Sequence, residues 1–256
     1  MILFRYIVLL IFVADQDIKN LQNQKTLNPI LWNEGGVNLR QEVRKHLIKI
    51  AEDFFEDLDI PWATLEDVRL AGSSANYNWS KYSDIDLHLI VDYSLVDQNH
   101  NFAEAYFDAR KKLWNLVHDI EIKGLEVEVY VEDSKKSAIS SGIYSVLHDE
   151  WVKKPIQDAE RIEPTDEKII SAKVKFLMKI IKDTVVKNMD AGNYAEAVQQ
   201  AERISKKIKK MRQCGLEKGG EFSIENLVFK ILRRKGMIEK LHDVKLEAYD
   251  RLMSLK

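Results

Sequence analysis

The sequence predicts an α+β protein, in which a small mixed sheet with flanking helices is followed by a C-terminal helical domain. Over residues 39–132, apolar patterns follow in the order helix, strand, turn, strand, helix, strand, which is typical of a sheet backed by helices. From about residue 165 the pattern changes to long apolar stripes at helical spacing. Pro155 and Pro164 lie between the two regions, and we therefore place a domain boundary there.

The first region begins with a helix over residues 39–58, where apolar side chains recur at helical spacing after a Gly-Gly start signal. Residues 65–71, LEDVRLA, predict a short strand that runs into Gly72. A second helix is predicted over residues 102–117, because its apolar residues form a single stripe.

Two further strands alternate in polarity, which turns one set of side chains to the core and the other away from it. They are predicted over residues 83–91, SDIDLHLIV, and residues 125–132, LEVEVYVE. The side chains that face away are Asp84, Asp86 and His88 in the first and Glu126, Glu128 and Tyr130 in the second. For His88 two interpretations stay open: contact with a phosphate or metal ion, or a hydrogen-bonded histidine at the edge of the sheet.

The second region predicts four helices, over residues 167–189, 194–211, 222–235 and 238–255. With the boundary above, the chain divides into an N-terminal apolar segment and connector (residues 1–34), a sheet domain (residues 35–154) and a helical domain (residues 165–256).

The N-terminal apolar run, ILFRYIVLLIFVA at residues 2–14, is interrupted by Arg5 and is shorter than the roughly 18 residues that a membrane-spanning helix needs. It also lacks the basic start of a signal peptide, and bulky Phe12 stands where a cleavage site has a small residue. We therefore expect a docked strand or helix, or a start codon placed too far upstream, and no association with a membrane. A single cysteine, Cys214, excludes an internal disulfide and is compatible with a cytoplasmic protein.

Charge is divided unevenly along the chain, although the formal net charge is only -2. Residues 165–256 contain 21 lysines and arginines against 13 acidic residues, which leaves 18 against 28 for residues 1–164. This asymmetry predicts an acidic half that holds metal ions and a basic half that meets a polyanion, or a helical region with solvated charged faces.

A pair of acids carries the chemistry of the first half. Residues i and i+2 of a strand project from one face about 6.5 to 7 Å apart, so Asp84 and Asp86 can share divalent ions of the Mg²⁺ type. A third carboxylate on a neighbouring strand would complete the site, and Glu128 or Glu126 can supply it.

A Gly-Ser turn stands shortly before this pair. Gly72 allows close approach of a phosphate to the backbone, Ser73 adds a hydroxyl donor, and the following SSANY can form the first turn of a helix. Taken singly, an Asp-x-Asp pair is usually the solvent face of a strand and a Gly-Ser pair only a turn. Together they are more specific, because an apolar strand ends in Ala-Gly-Ser, ten residues intervene, and Asp-Ile-Asp-Leu opens the next strand.

In these motifs the chain resembles the DNA polymerase beta-like nucleotidyltransferase superfamily, whose signature combines a Gly-Ser turn, an Asp-x-Asp strand and a later acidic residue on a strand. The resemblance covers residues 39–132, and the whole chain resembles uncharacterised members of this superfamily encoded by bacteriophages. It implies a nucleotidyltransferase fold and the transfer of NMP from an NTP, with ATP favoured, to a hydroxyl acceptor with release of pyrophosphate. It also implies Mg²⁺ or Mn²⁺ as cofactor and, for a phage protein, the cytoplasm of a bacterial host.

The resemblance further implies a role for each matching residue. Asp84, Asp86 and Glu128 would be the catalytic and metal-binding acids, and the nucleotide would be bound by Gly72, Ser73, Ser74 and Ser83. One departure is that Ala75, Asn76 and Tyr77 stand where many relatives have a second glycine or an arginine, which leaves the nucleotide pose and base preference open.

The acceptor is predicted less directly. The basic residues of the second half favour an RNA end as the acceptor, with RNA favoured over DNA. The five candidate contacts are Lys206, Lys207, Lys210, Arg233 and Arg234. The same residues also suit the solvated face of an amphipathic helix. Two other functions are compatible with the sequence: a non-catalytic module that binds nucleotide or RNA on the same fold, and a small-molecule adenylyltransferase.

Overall fold

A computed structural model describes residues 24–136, 140–157 and 164–255 of the chain. The described residues fall into two compact units, one within residues 24–157 and one within residues 164–255. The expectation for residues 2–14 lies outside the described residues. The domain limits placed at residues 34, 154 and 165 stay predictions.

The first unit consists of one sheet and two helices. The sheet has six strands in the spatial order β3-β4-β2-β1-β5-β6, in which β2 and β4 are parallel and the other neighbours are antiparallel. In chain order the elements are α1 (Gln41–Asp57), β1 (Leu65–Ala71), β2 (Ile85–Val91), α2 (His100–Val117), β3 (Glu121–Ile122), β4 (Leu125–Asp133), β5 (Ile143–Ser145) and β6 (Glu150–Lys153).

This mixed sheet with helices confirms the predicted class and the three predicted strands, but it adds three strands that were not predicted. The added strands have two, three and four residues, too few to show an alternating pattern. The predicted start of one of these strands is wrong. The strand expected over residues 83–91 begins at Ile85, because the Ser83 N–H donates to the Ser80 carbonyl (3.0 Å) and a turn occupies this end.

The parallel pair β2 and β4 is joined by α2, as a parallel connection requires. At its C-terminal end α2 also satisfies the backbone of β4. Asn115 accepts a hydrogen bond from the Val129 N–H (3.1 Å) and donates one to the Val129 carbonyl (3.2 Å). This side chain therefore fixes β4 against the helix beside the position of Glu128.

The core of the first unit includes residues from the N-terminal connector, which the sequence did not indicate. Trp32 is buried, its ring stacks on Trp151 with centroids 4.6 Å apart, and it meets the edge of Tyr144 at 4.9 Å. Its indole Nε1 donates to the Ser74 carbonyl (2.9 Å). The connector thus packs directly beneath the turn that contains Gly72 and Ser73.

One surface of β2 and β4, the polar face, carries titratable side chains in parallel register. Asp86 lies beside Glu128, and His88 lies beside Tyr130 in the next pair along the strands. The intervening residues Leu87 and Val129 are fully buried on the opposite side. Strand alternation therefore places every second side chain of two adjacent strands in one polar row.

The second unit is helical within residues 164–255. Its elements are α3 (Pro164–Ile180), a π-helical turn (Ile181–Val186), α4 (Lys187–Asp190), α5 (Tyr194–Gly219), a 3-10 turn (Gly220–Phe222), α6 (Ile224–Arg234) and α7 (Met237–Met253).

The helix predicted over residues 167–189 is confirmed as a continuous helical stretch over residues 164–190, in which a π turn at Ile181–Val186 interrupts the α-helical pattern. In this turn the Thr184 hydroxyl donates to the Ile180 carbonyl (2.8 Å), and Asn188 donates to the Thr184 carbonyl (2.6 Å), so side chains occupy the carbonyls of the helix. The helix predicted to end at residue 211 instead continues through buried Gly215 to Gly219. None of the helices in the described ranges is long and apolar enough to cross a membrane.

Candidate active site

Three carboxylates converge at one end of the polar face. Asp84 lies in the loop before β2, Asp86 in β2 and Glu128 in β4, and each is half-buried. Their ligand oxygens all lie within 4.8 Å of one another. Two of the three come from adjacent strands in register, so the sheet itself sets the spacing of Asp86 and Glu128.

Asp84 is held through its backbone rather than by the strand. The Ser74 hydroxyl, which is fully buried, donates to the Asp84 carbonyl (2.5 Å). This bond ties the loop before β2 to the turn after β1, and so it positions the first acid relative to the second.

The turn after β1 approaches the Asp86 carboxylate so closely that only glycine fits at position 72. Gly72 has a φ of +66°, and a Cβ placed on it would lie 2.2 Å from Asp86 Oδ2. Both the backbone conformation and the space therefore require glycine. The Gly-Ser turn is thus part of the wall around the acids.

This turn is a single 3-10 turn, Gly72–Ala75, after which Asn76 is extended, and SSANY does not start a longer helix. The physical reason is the buried amide of Asn76, which donates to the Gly72 carbonyl (2.6 Å) and accepts from the Ser141 hydroxyl (2.9 Å). Sequence reasoning missed Asn76 as a structural residue of the site. Its partner Ser141 comes from a distant loop, which no local pattern indicates.

The predicted nucleotide-binding serines lie in two loops, Ser73 and Ser74 in the turn after β1 and Ser83 in the loop before β2. Ser73 Oγ donates to Ser83 Oγ (2.9 Å), and Ser83 Oγ also accepts from the Ser80 N–H (2.9 Å). Ser74 is fully buried and Ser73 is half-buried. These bonds join the two loops at the site, and contact of Gly72, Ser73, Ser74 or Ser83 with a nucleotide stays a prediction.

Tyr130 adds a hydroxyl to the same face, and sequence reasoning had not given it a role. Its hydroxyl donates to Glu128 Oε2, and its ring stacks on His88 with centroids 5.0 Å apart. Burial, followed by the charges of Asp86 and Glu128, raises the pKa of the Tyr130 hydroxyl well above its usual range. The phenol is therefore a neutral donor at any ordinary pH.

His88 is engaged away from the acids. Its Nδ1 lies 3.0 Å from Glu132 Oε1, and this contact lowers the pKa of the Glu132 carboxyl. This contact pairs His88 with a carboxylate of the sheet, but β2 is an interior strand, so the predicted position of His88 at the edge of the sheet is wrong.

Glu126, the alternative third acid, is exposed and is outside the group of three. Burial of its carboxyl, with smaller contributions from the charges of Glu128 and Asp84, raises its pKa. The charge of Glu126 therefore interacts with the cluster, but the third convergent oxygen comes from Glu128.

The three acids fit a divalent cation of the magnesium type. Hard oxygen ligands from a few carboxylates, with space left for water and phosphate, are what Mg²⁺ and Mn²⁺ bind. Asp84, Asp86 and Glu128 would hold the ion. The turn supports this fit, since the missing Cβ of Gly72 leaves the space in which the Asp86 carboxylate lies near the other two acids.

The candidate acceptor contacts lie in the helical unit. Lys206, Lys207 and Lys210 are exposed on α5, at spacings that put them on one side of the helix. Arg233 is exposed and Arg234 half-buried in the last turn of α6, where cations are also favoured by the helix dipole. The amphipathic reading of residues 204–212 is supported, because Ile204 and Ile208 are buried.

The sequence matches no family model and no curated protein. Among solved structures the chain is similar to the STING-associated CdnE c-di-GMP synthase from Capnocytophaga granulosa, with 14% sequence identity over 84% of this chain and 83% of that one. The TM-score of this similarity is 0.21, and the interpretation of the site rests on its own residues.

Proposed function

We propose that the chain is a metal-dependent nucleotidyltransferase that moves NMP from an NTP to a hydroxyl acceptor and releases pyrophosphate. The observation that carries this proposal is the convergence of Asp84, Asp86 and Glu128 beside the glycine turn at residue 72. Three half-buried carboxylates meet there with their ligand oxygens within 4.8 Å of one another, which is an arrangement that a divalent cation can bind.

In this reaction the acceptor oxygen forms a bond to the α-phosphorus, and the bond from that phosphorus to the bridging oxygen breaks. The electron pair leaves with pyrophosphate, and the proton of the acceptor hydroxyl goes to solvent. When bound, Mg²⁺ or Mn²⁺ neutralises charge on the phosphates and polarises the acceptor hydroxyl. Asp84, Asp86 and Glu128 would hold the ion or ions that supply this charge. Ser73 and the backbone at Gly72 bind the phosphates.

For the substrates we propose ATP as the favoured donor and an RNA end as the favoured acceptor. The acceptor proposal is supported by the excess of basic residues in residues 165–256 and by the exposed lysines of α5. Catalysis would then consist mainly of positioning and charge neutralisation.

The test is transfer of label from the four α-labelled NTPs, with Mg²⁺ or Mn²⁺, to total RNA, protein and small metabolites. We expect the wild type to label the RNA fraction and the double variant Asp84→Asn/Asp86→Asn to label none, although circular dichroism shows it folded. Glu128→Gln should lose transfer, and Glu126→Gln on the same strand is the matched control that should retain it.

The other outcomes decide between the alternatives. Label in metabolites alone would indicate a small-molecule adenylyltransferase. No label, together with RNA binding that depends on salt but not on Mg²⁺ or Asp86, would contradict the enzyme and indicate a non-catalytic module. Full activity in the double variant would also contradict the assignment.

A further inference from the structure

We propose that Tyr130 is a positioning residue that orients the Glu128 carboxylate toward the divalent cation. This inference rests on the proposed function, because it assigns a role within the same site.

The hydrogen bond from Tyr130 fixes one of the two oxygens of Glu128. The phenol donates to Oε2, so rotation of the carboxylate is restricted and Oε1 is left as the oxygen for the cation. Both residues lie on β4 and face the same side, because they are two positions apart. A ligating carboxylate that is itself hydrogen-bonded in this way is a common feature of metal sites.

The ring of Tyr130 is held from two directions, which makes its hydroxyl a rigid donor. His88 stacks on it with an angle of 16° between the ring planes, and the Nδ1 of His88 lies 3.0 Å from Glu132 Oε1. The Lys111 ammonium of α2 lies 4.7 Å from the ring centroid, a distance suited to a cation–π contact. Lys111 also pairs with Asp108 at 3.0 Å on the same helix.

These contacts connect the side chains of the polar face one after another, from Glu132 to Glu128. Glu132 lies beside His88, His88 and Lys111 pack against the ring of Tyr130, and the Tyr130 hydroxyl donates to Glu128. The third acid is therefore oriented before a cation arrives, so less conformational freedom is lost when one binds.

The experiment measures Mn²⁺ binding to the full chain by calorimetry, with nucleotide transfer assayed in parallel. Tyr130→Phe removes the hydroxyl and keeps the ring. We expect its Mn²⁺ affinity to fall about tenfold, within the range found for such supporting residues, and kcat to fall more than KM changes. The matched control is Tyr93→Phe, which removes a hydroxyl that donates to the Val131 carbonyl (2.9 Å). Tyr93→Phe should bind Mn²⁺ as the wild type does.

A double-variant cycle separates positioning from a general structural effect. In a Glu128→Gln background, Tyr130→Phe should change Mn²⁺ affinity by less than twofold, because the bond to the carboxylate is already altered. Urea unfolding of each variant shows whether the folded state is retained. An undiminished affinity of Tyr130→Phe, or the same loss with and without Glu128, would overturn the inference.

The two proposals fail differently. If the wild type binds Mn²⁺ and transfers no nucleotide, the proposed function fails while the effect of Tyr130 on binding is still measured. If the wild type binds no Mn²⁺, both the proposed function and the role of Tyr130 are wrong. If it binds and transfers, and Tyr130→Phe does the same, only the role of Tyr130 is wrong.

Discussion

At position 72 the absence of a side chain leaves room for the Asp86 carboxylate. The would-be Cβ of Gly72 overlaps Asp86 Oδ2 at 2.2 Å, while that of Gly124, which also has a positive φ, meets nothing within 4 Å. The two glycines therefore share the same backbone strain and differ in the space that a methyl group would need.

We predict that Gly72→Ala displaces the Asp86 carboxylate and lowers Mn²⁺ affinity by at least tenfold, with loss of transfer. Gly124→Ala should leave Mn²⁺ affinity unchanged. Both variants should lose stability by about 1–2 kcal/mol, the usual cost of an alanine at positive φ. Calorimetry with Mn²⁺ and urea unfolding give the two quantities. Equal affinities in the two variants would contradict the close approach at position 72.

The charges of the acids supply a second prediction at this scale. Carboxylates within 4.8 Å repel one another, so Asp86→Asn should raise the melting temperature in EDTA, by roughly 2–4 °C for a gain of about 1 kcal/mol. With Mn²⁺ the order should reverse, because ligand at 100 times its Kd stabilises the wild type by about 2.7 kcal/mol. Thermal unfolding with EDTA and with Mn²⁺ measures both. A wild type that Mn²⁺ does not stabilise, or an Asn variant stabilised equally, would contradict the cation site.

The residues of the site differ in how far the sequence reveals them. Asp84 and Asp86 follow from local spacing. Alternation along the later strand leaves Glu126 and Glu128 as alternatives, and the folded chain brings Glu128 into the group although it lies 42 positions beyond Asp86. Asn76 and Tyr130 do not follow. Their roles depend on a hydrogen bond from Ser141 and on the packing of His88 and Lys111, which are contacts made only in the folded chain.

At the scale of elements, periodicity predicts long segments and fails where other forces decide. The bounds of β1 agree with the prediction, since a buried strand between polar turns has a clear pattern. By contrast β5 and β6 are short and depend on pairing with β1 and with each other. The parallel pairing of β2 with β4 also cannot be predicted from the hydrophobic pattern of either strand, because it depends on which strands become neighbours in the folded chain.

The turn that follows β2 contains Asp92, whose ionisation leads to a prediction about how stability depends on pH. Asp92 Oδ1 accepts from the Ser94 hydroxyl (2.6 Å), the Lys135 ammonium (2.9 Å) and the Ser94 N–H (2.9 Å). These bonds lower the pKa of Asp92 from 3.8 to about 2.

Because the folded-state pKa is depressed, the ionised carboxylate stabilises the fold above about pH 4. This stabilisation is lost as the pH falls through 2. We predict that the urea midpoint of the wild type falls more steeply between pH 4 and pH 2 than that of Asp92→Asn. The two curves should run parallel above pH 5. A constant difference down to pH 2 would show that Asp92 does not titrate with a depressed pKa.

At the scale of the whole molecule, charge and structure divide the chain at nearly the same place. The unit within residues 164–255 lies almost entirely in the basic region, and the acids of the site lie in the other unit. Composition reveals this asymmetry directly, because it needs only a count. Which basic side chains a polyanion would contact cannot be read from composition, since exposure depends on how the helices pack.

The division leads to a prediction that separates a specific face from net charge. Lys206, Lys207 and Lys210 lie together on the exposed side of α5. Their replacement by Glu should therefore weaken RNA binding at least tenfold and lower the salt dependence of the binding constant. The matched control is replacement by Glu of three exposed lysines of α3, Lys168, Lys175 and Lys179, which changes the net charge equally.

Fluorescence anisotropy with a single-stranded RNA over a range of salt concentrations measures both triple variants. If the lysines of α5 contact the phosphates, their loss removes counterion release at those contacts, whereas the α3 variant loses only long-range attraction. Affinity should then differ between the variants even at high salt, where long-range attraction is screened. Equal losses in the two variants would mean that RNA senses the net charge of the unit, and the acceptor role of these lysines would be wrong.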